Sequence, residues 1–237
     1  MTRLTTTQTE FIESVLNLKP LVAAFDCDGT LWSGDAGEGF FAWELEPAQS
    51  LVPESIARWA RPRHADYEAG QVAEEVMCGE MVTMHRGLRE EVVQQACDAY
   101  FSQAISASIF PEMHELVRRL LDSGCEIWAV SSSSQWIIRS AMRYFGIPPN
   151  HTLAAEAAVE NGIITDRLIR VPSGPGKPEA IRDVVNGTLD CAFGNSIWDR
   201  EMLDMSKHPF AINPNPNLKE IALAKGWKVY QPNAQSL

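Results

Sequence analysis

Apolar and polar positions follow two regimes along the chain. Leu21 to Phe25 is a short apolar run ending in a polar turn, the pattern of a strand buried on both faces. A polar lead-in precedes it, with a short helix predicted over Glu10 to Leu18. From about Ala36 to about Ser106 the periodicity is helical. Met77, Met81, Met84 and Leu88 fall at i, i+4, i+7 and i+11, and Val92, Ala96 and Tyr100 continue at steps of four. Such stripes predict packed helix faces, and Pro47, Pro53 and Pro62 predict breaks between short helical pieces. Beyond Pro111 helices and strands alternate. Met113, Leu116, Val117, Leu120 and Leu121 form one helical face that Gly124 ends, and Glu126 to Val130 is a buried strand. Ile138, Ala141, Met142 and Phe145 mark a helix stopped by Gly146 and Pro148. Leu153 to Val159 and Ile163 to Arg170 flank Asn161-Gly162, a hairpin signal. Helices from Lys177 or Pro178 to Asn186, Asp199 to Lys207 and Asn217 to Lys225 then alternate with strands Asp190 to Phe193, Phe210 to Ile212 and Lys228 to Tyr230. Alternation of this kind predicts an α/β fold, a parallel sheet covered on both faces, with the helical stretch inserted after the first strand.

Composition narrows the possible partners. The chain has 237 residues, 45% hydrophobic and 22% charged, enough for one sizeable domain or a core with a smaller companion. Its net charge of −11 excludes a nucleic-acid partner that needs a basic footprint. Cys27, Cys78, Cys97, Cys125 and Cys191 are dispersed in mostly apolar contexts without a Cys-x-x-Cys pair, so reduced thiols in a cytoplasmic protein are expected. Met1 to Glu10 is polar and carries no basic start leading into an apolar signal core. No apolar run approaches the ~18 residues of a membrane span, and no membrane partner is expected.

The candidate chemistry begins where the first strand ends. Asp26 and Asp28, two residues apart on an extended segment, project the same way from its carboxyl end. Carboxylates this close repel unless a cation sits between them or one is protonated, and a hard ion such as Mg2+ suits oxygen ligands. A hairpin turn would explain Asp-Gly, but no alternating strand follows it. A calcium loop would need a third acid and a distal glutamate that the chain lacks. Downstream, Trp128-Ala129-Val130-Ser131 is a strand ending in a hydroxyl just before a helix, a place for an anion or a helix cap. Lys177 opens another helix in Gly174-Pro175-Gly176-Lys177-Pro178, which lacks the first glycine and the Ser/Thr of a P-loop. Gly194-Asn195-Ser196-Ile197-Trp198-Asp199 follows a third strand.

In this order, Asp26-Cys27-Asp28-Gly29-Thr30, strand-Ser131, Lys177 and Gly194-Asn195-Ser196-x-x-Asp199 resemble the four signature motifs of the haloacid dehalogenase superfamily. The 103-residue separation of Asp28 and Ser131 resembles the phosphoserine phosphatase-like branch, which carries a helical cap between its first two motifs. The resemblance implies a Rossmann-like three-layer core with a parallel sheet over residues 1–35 and 107–237, and an inserted α-helical cap over 36–106. It implies a Mg2+-dependent phosphomonoester hydrolase, with Asp26 as the nucleophile that becomes an aspartyl-phosphate and Asp28 as the proton shuttle. Ser131, Ser132 and Lys177 would bind the phosphoryl group. The Asp26 carboxylate, the Asp28 carbonyl and Asn195 would hold Mg2+, with Asp199 in the metal set or orienting it. Asp28 also argues against dehalogenase chemistry, since the dehalogenases lack that acid.

One position departs from the pattern. Asn195 stands where the family usually has Asp, which removes one negative charge from the metal site and predicts weaker metal affinity. Asp35, with Trp32 and Trp43 nearby, is expected to contact the substrate, and an aromatic face beside a carboxylate suits an ammonium group. Arg58, Arg61, Arg63 and Arg86 are candidate carboxylate contacts. The expected substrate is a small amine-bearing phosphomonoester that is phosphoserine-, phosphoethanolamine- or phosphocholine-like. Two alternatives stay open: a phosphotransferase using the same aspartyl-phosphate, and a phosphate-binding or regulatory member weakened by Asn195.

Overall fold

A computed structural model describes residues 4–49 and 51–232. Residues 1–3, 50 and 233–237, which fall within the expected domain ranges, lie outside the described residues. Among the described residues the centre is a seven-stranded sheet in the order β4-β3-β2-β1-β5-β6-β7. Its strands are β1 (Val22–Phe25), β2 (Glu126–Ser134), β3 (Thr152–Glu160), β4 (Ile163–Arg170), β5 (Cys191–Gly194), β6 (His208–Ile212) and β7 (Lys228–Tyr230). Every neighbouring pair is parallel except β3 and β4, which form the expected hairpin with Asn161 and Gly162 at φ 52° and 77°. Both turn residues therefore take the positive φ of a type I′ turn.

Alternation across the sheet divides the core. Ala23 and Phe25 of β1, Ile127 and Ala129 of β2 and Cys191 and Phe193 of β5 face one layer, where α1 (Thr6–Leu16), α6 (Pro111–Asp122) and α7 (Gln135–Phe145) bury Phe11, Ile12, Leu116 and Ile138. Ala24, Trp128, Val130 and Ala192 face the other, packed against Ile181 of α8 (Gly176–Arg182), Met202 of α9 (Arg200–Asp204) and Leu218 of α10 (Pro216–Lys225). Phe25, Phe193 and Phe210 stack across three strands with centroids 4.1 and 4.8 Å apart. The sheet grows from β1 toward β2 and β3 on one side and continues through β5 and β6 on the other. Chain order thus reverses at β1, and the crevice outside the carboxyl ends of β1, β2 and β5 is where such sheets bind ligands.

Among the described residues, 36–108 carry helices joined by loops and no named strand: α2 (Ala36–Glu44), α3 (Glu54–Glu68), α4 (Glu74–Thr83), α5 (Glu90–Tyr100), then a π-turn over Phe101–Ile105 and a short 3₁₀ turn. A fully buried pair, Glu44 and His85 at 2.6 Å, joins α2 to the segment after α4. α4 lies against β3 and β4, where a Cβ on Gly79 would come within 2.9 Å of Leu168 Cδ2.

Several boundaries differ from the sequence reading. The lead-in helix begins at Thr6, because Thr5 and Gln8 form a capping box that starts it earlier. α5 buries Val93 and Cys97, and Val92 stays exposed, so the helix is rotated from the expected stripe. Pro62 does not break the chain but sits inside α3. Its neighbours anchor that helix, Arg61 donating to the Leu45 carbonyl and Arg63 to both oxygens of Glu80. The helix expected over Asp199 to Lys207 shrinks to a 3₁₀ turn and α9, as Asp199 is drawn inward.

Candidate active site

The four sequence motifs meet at the crevice above β1. Asp26 leaves β1 with its N–H donating to the Phe193 carbonyl, so the turn is registered against β5. Its carboxylate is almost wholly buried. Oδ1 accepts from Lys177 Nζ at 2.7 Å and Oδ2 from Thr30 Oγ1 at 2.7 Å. Lys177, brought in by the first turn of α8, is buried to the same degree. Its ammonium donates to Asp26 Oδ1, to Asp199 Oδ1 at 2.6 Å and to the Val130 carbonyl at 2.9 Å. A buried ammonium is tolerable only with such full pairing.

Asp199 uses both oxygens. Oδ1 accepts a hydrogen bond from the Lys177 ammonium, and Oδ2 accepts from the N–H groups of Asn195 and Ser196, each at 2.9 Å, and from Ser196 Oγ. Asp199 therefore orients Lys177 and the loop after β5. Two glycines allow this crowding. A Cβ on Gly194 would stand 2.5 Å from Asp199 Cβ, and one on Gly29 would stand 1.8 Å from Asn195 Nδ2 at a φ of +72°.

Asp28 is held from three directions. Oδ1 accepts from Trp32 Nε1 at 2.9 Å and the Ala36 N–H at 2.5 Å, and Oδ2 from Ser133 Oγ at 2.7 Å. Burial, then the charge of Asp35, push its carboxyl well above the carboxylate range despite these bonds. Burial and the nearby Asp199 push Asp26 up to about 7, with Lys177 opposing the rise. Burial alone would pull the Lys177 ammonium down, but Asp199 and Asp26 reverse it and the net shift is upward. The arrangement is a buried carboxyl group fixed by a buried ammonium, beside a second carboxyl whose hold on its proton is raised by burial.

These groups open into one cavity of about 470 Å3, lined by Asp26, Asp28, Asp35, Ser131, Ser132, Lys177 and Asn195 among others. Ser131 is buried and accepts from the Ser133 N–H, and Ser132 donates to Glu74. Asp35 opens into the cavity and also caps α2 through the Glu38 N–H at 2.8 Å. The two tryptophans are elsewhere, which corrects the expectation that they flank the substrate. Trp32 is fully buried under Asp28, and Trp43 packs on Phe40 and Tyr100 with centroids 5.7 and 5.8 Å away. Their apolar rings fasten the helical insertion instead of lining the cavity.

Sequence reasoning missed Thr30, Ser133, Tyr67 and Glu74. Thr30 was visible inside the first motif and Ser133 lies two residues beyond Ser131, but the partners of both were not visible. Tyr67 and Glu74 had no local signal, because only the placement of α3 and α4 brings them to the cavity. The five cysteines form no disulfide, and no helix among the described residues is long and apolar enough to cross a membrane.

Residues 23–204 match the model of the haloacid dehalogenase-like hydrolases. The chain belongs to that family. A Mycobacterium tuberculosis protein named phosphoserine phosphatase SerB1 is 25% identical over 233 residues, which span 87% of this chain and 69% of the relative. A Bordetella pertussis Tohama I protein of unknown function superposes with a TM-score of 0.75 at 23% identity, over 88% of this chain and 97% of its own. A phosphoserine phosphatase solved as a phospho-aspartyl intermediate analogue gives 0.59 at 16% identity, over 91% and 95%. In fold, the chain stands with the phosphoserine phosphatase-like branch.

Proposed function

We propose that this phosphatase hydrolyses a small, amine-bearing phosphomonoester in two steps through Asp26, with residues 36–106 acting as a cap over a core of 1–35 and 107–237. The carrying observation is the buried Asp26-Lys177-Asp199 chain with Asp28 beside it. Asp26 attacks phosphorus as the bond to the leaving oxygen breaks, and Asp28 gives that oxygen its proton. A water then attacks the aspartyl-phosphate, Asp28 takes the water's proton, and phosphate leaves with Asp26 restored. The ammonium of Lys177, the Ser131 hydroxyl and the backbone of Ser132 stabilise the phosphoryl oxygens.

The donor set fits Mg2+. Among the described residues no three Asp, Glu, His or Cys side chains converge as a metal cluster. Asp26, Asp28 and Asn195 nevertheless border one cavity, and the Asn195 side chain makes no hydrogen bond among the described residues. Mg2+ keeps several waters and takes few protein ligands, so this small hard-oxygen set can hold it. When bound, the ion would neutralise charge on the phosphoryl oxygens.

Two expected results test the reading. Phosphate release from p-nitrophenyl phosphate and a panel of aminoalkyl, sugar and nucleoside monophosphates should require Mg2+, stop with a chelator and favour the amine-bearing esters. Turnover of sugar phosphates or nucleotides alone would sink the substrate assignment. Asn195→Asp should tighten Mg2+ roughly tenfold, read by calorimetric titration as well as by activity, because it restores one negative charge. An unchanged titration would remove Asn195 from the metal set.

A further inference from the structure

Glu74 connects the helical insertion to the phosphate end of the site. It lies in the first turn of α4 and is 9% exposed. Oε2 accepts from Tyr67 Oη at 2.7 Å, and Oε1 accepts from Ser132 Oγ and Ser173 Oγ, each at 3.3 Å. Glu74 also borders two spaces at once. One is the cavity of Asp26 and Lys177. The other is a small side cavity that shares Asp35, Tyr67, Glu74 and Ser132 with it and is closed by Met77 and Met81.

The charges around these spaces are one-sided. Asp35, Glu38 and Glu74 border the side cavity, and among the described residues no Lys, Arg or His lines it; the nearest imidazole, His64, packs beside Tyr67 and acts on Asp35 and Glu38 from behind this lining. Lys177 is the basic residue of the main cavity, and its ammonium is engaged by Asp26, Asp199 and the Val130 carbonyl. The arginines considered as carboxylate contacts do not reach either space. Arg58 pairs with Glu54, Arg61 with the Leu45 carbonyl, and Arg63 with Glu80, while Arg86 is exposed and borders neither. Ser134, half-buried, also borders the side cavity, and its Oγ has no hydrogen-bond partner among the described residues. A buried hydroxyl without a partner is uncommon and points to a missing one.

Resting on the hydrolase reading above, we propose that Glu74 determines specificity by receiving the cationic end of the leaving group, so that the substrates are phosphate esters of amino alcohols without a carboxylate. An ammonium in the side cavity meets Glu74 and Asp35 between the Tyr67 ring and two soft thioethers, a setting suited to alkylated nitrogen. A substrate carboxylate there would face like charges with no guanidinium to receive it, which selects against phosphorylated amino acids.

The test compares phosphoethanolamine, phosphocholine, phosphoserine and p-nitrophenyl phosphate on wild type and Glu74→Gln, a change that keeps the size of the side chain. In wild type, kcat/KM for the amino-alcohol esters should exceed that for phosphoserine by about tenfold or more. In Glu74→Gln the ratio of kcat/KM for phosphoethanolamine to that for p-nitrophenyl phosphate should fall about tenfold, mainly through KM. Equal loss on every ester would make Glu74 a structural strut, and a wild-type preference for phosphoserine would also overturn the proposal. Calorimetric binding of the same esters needs no turnover and separates the two readings. If no ester is hydrolysed, the hydrolase reading fails. Tighter binding of phosphoethanolamine than of phosphoserine, lost in Glu74→Gln, would still support the role of Glu74, and equal or absent binding would end it.

Discussion

Asp26→Asn is expected to abolish phosphate release, with a loss on the order of 10⁴-fold or more, because it removes the atom that forms the bond to phosphorus. The amide preserves size, and Lys177 keeps its bonds to Asp199 and the Val130 carbonyl. Stability should therefore change little while turnover disappears. The check is phosphate release beside a denaturation curve, with mass spectrometry of acid-quenched wild type for a phosphate adduct on the peptide holding Asp26. A variant that kept a tenth of wild-type activity would show that water is activated directly and that Asp26 is only a ligand or a brace.

Most of this expectation could be read from the chain. Short apolar strands followed by Asp26-x-Asp28, Ser131, Lys177 and Asn195-x-x-x-Asp199 placed every motif at a strand's carboxyl end or a helix start, and the sheet brings them to one crevice. Topology did the rest. β1 lies between β2 and β5, so three segments distant in sequence become neighbours at the point where the chain order reverses. What stayed hidden depends on contacts between elements. Asp199 could be placed at the site from its motif, but only the fold shows that its carboxylate binds Lys177 and two backbone N–H groups. Trp32 and Trp43 looked like a cation platform, since an aromatic near an acid reads the same whether it faces a cavity or a core. Glu74 could not be found at all, because helical periodicity fixes a face but not what that face meets.

Lys177→Met should show how far the site is held together by charge. In the native chain the ammonium separates Asp26 from Asp199, both almost wholly buried. Removing it leaves two carboxyl groups confronting each other, a defect that costs about 3–5 kcal/mol in comparable buried pairs. Activity should fall about 10³-fold as well, since both the orientation of Asp26 and a positive charge at the phosphoryl oxygens are lost. The pH dependence carries the sharper signature. Asp26 already stands at about 7 against an ordinary 3.8 with Lys177 pulling it down, so without Lys177 it moves higher still. A carboxyl raised in the folded chain binds its proton more tightly than the unfolded chain does. The stability of the variant is therefore best retained in acid and is lost as pH rises through the folded value. Urea midpoints at about pH 5.5 and about pH 8 should consequently lie closer to those of wild type in acid than in base. A deficit independent of pH would mean that methionine fails by shape, through lost packing around the former ammonium, and that the charge of Lys177 does not hold the two acids in place.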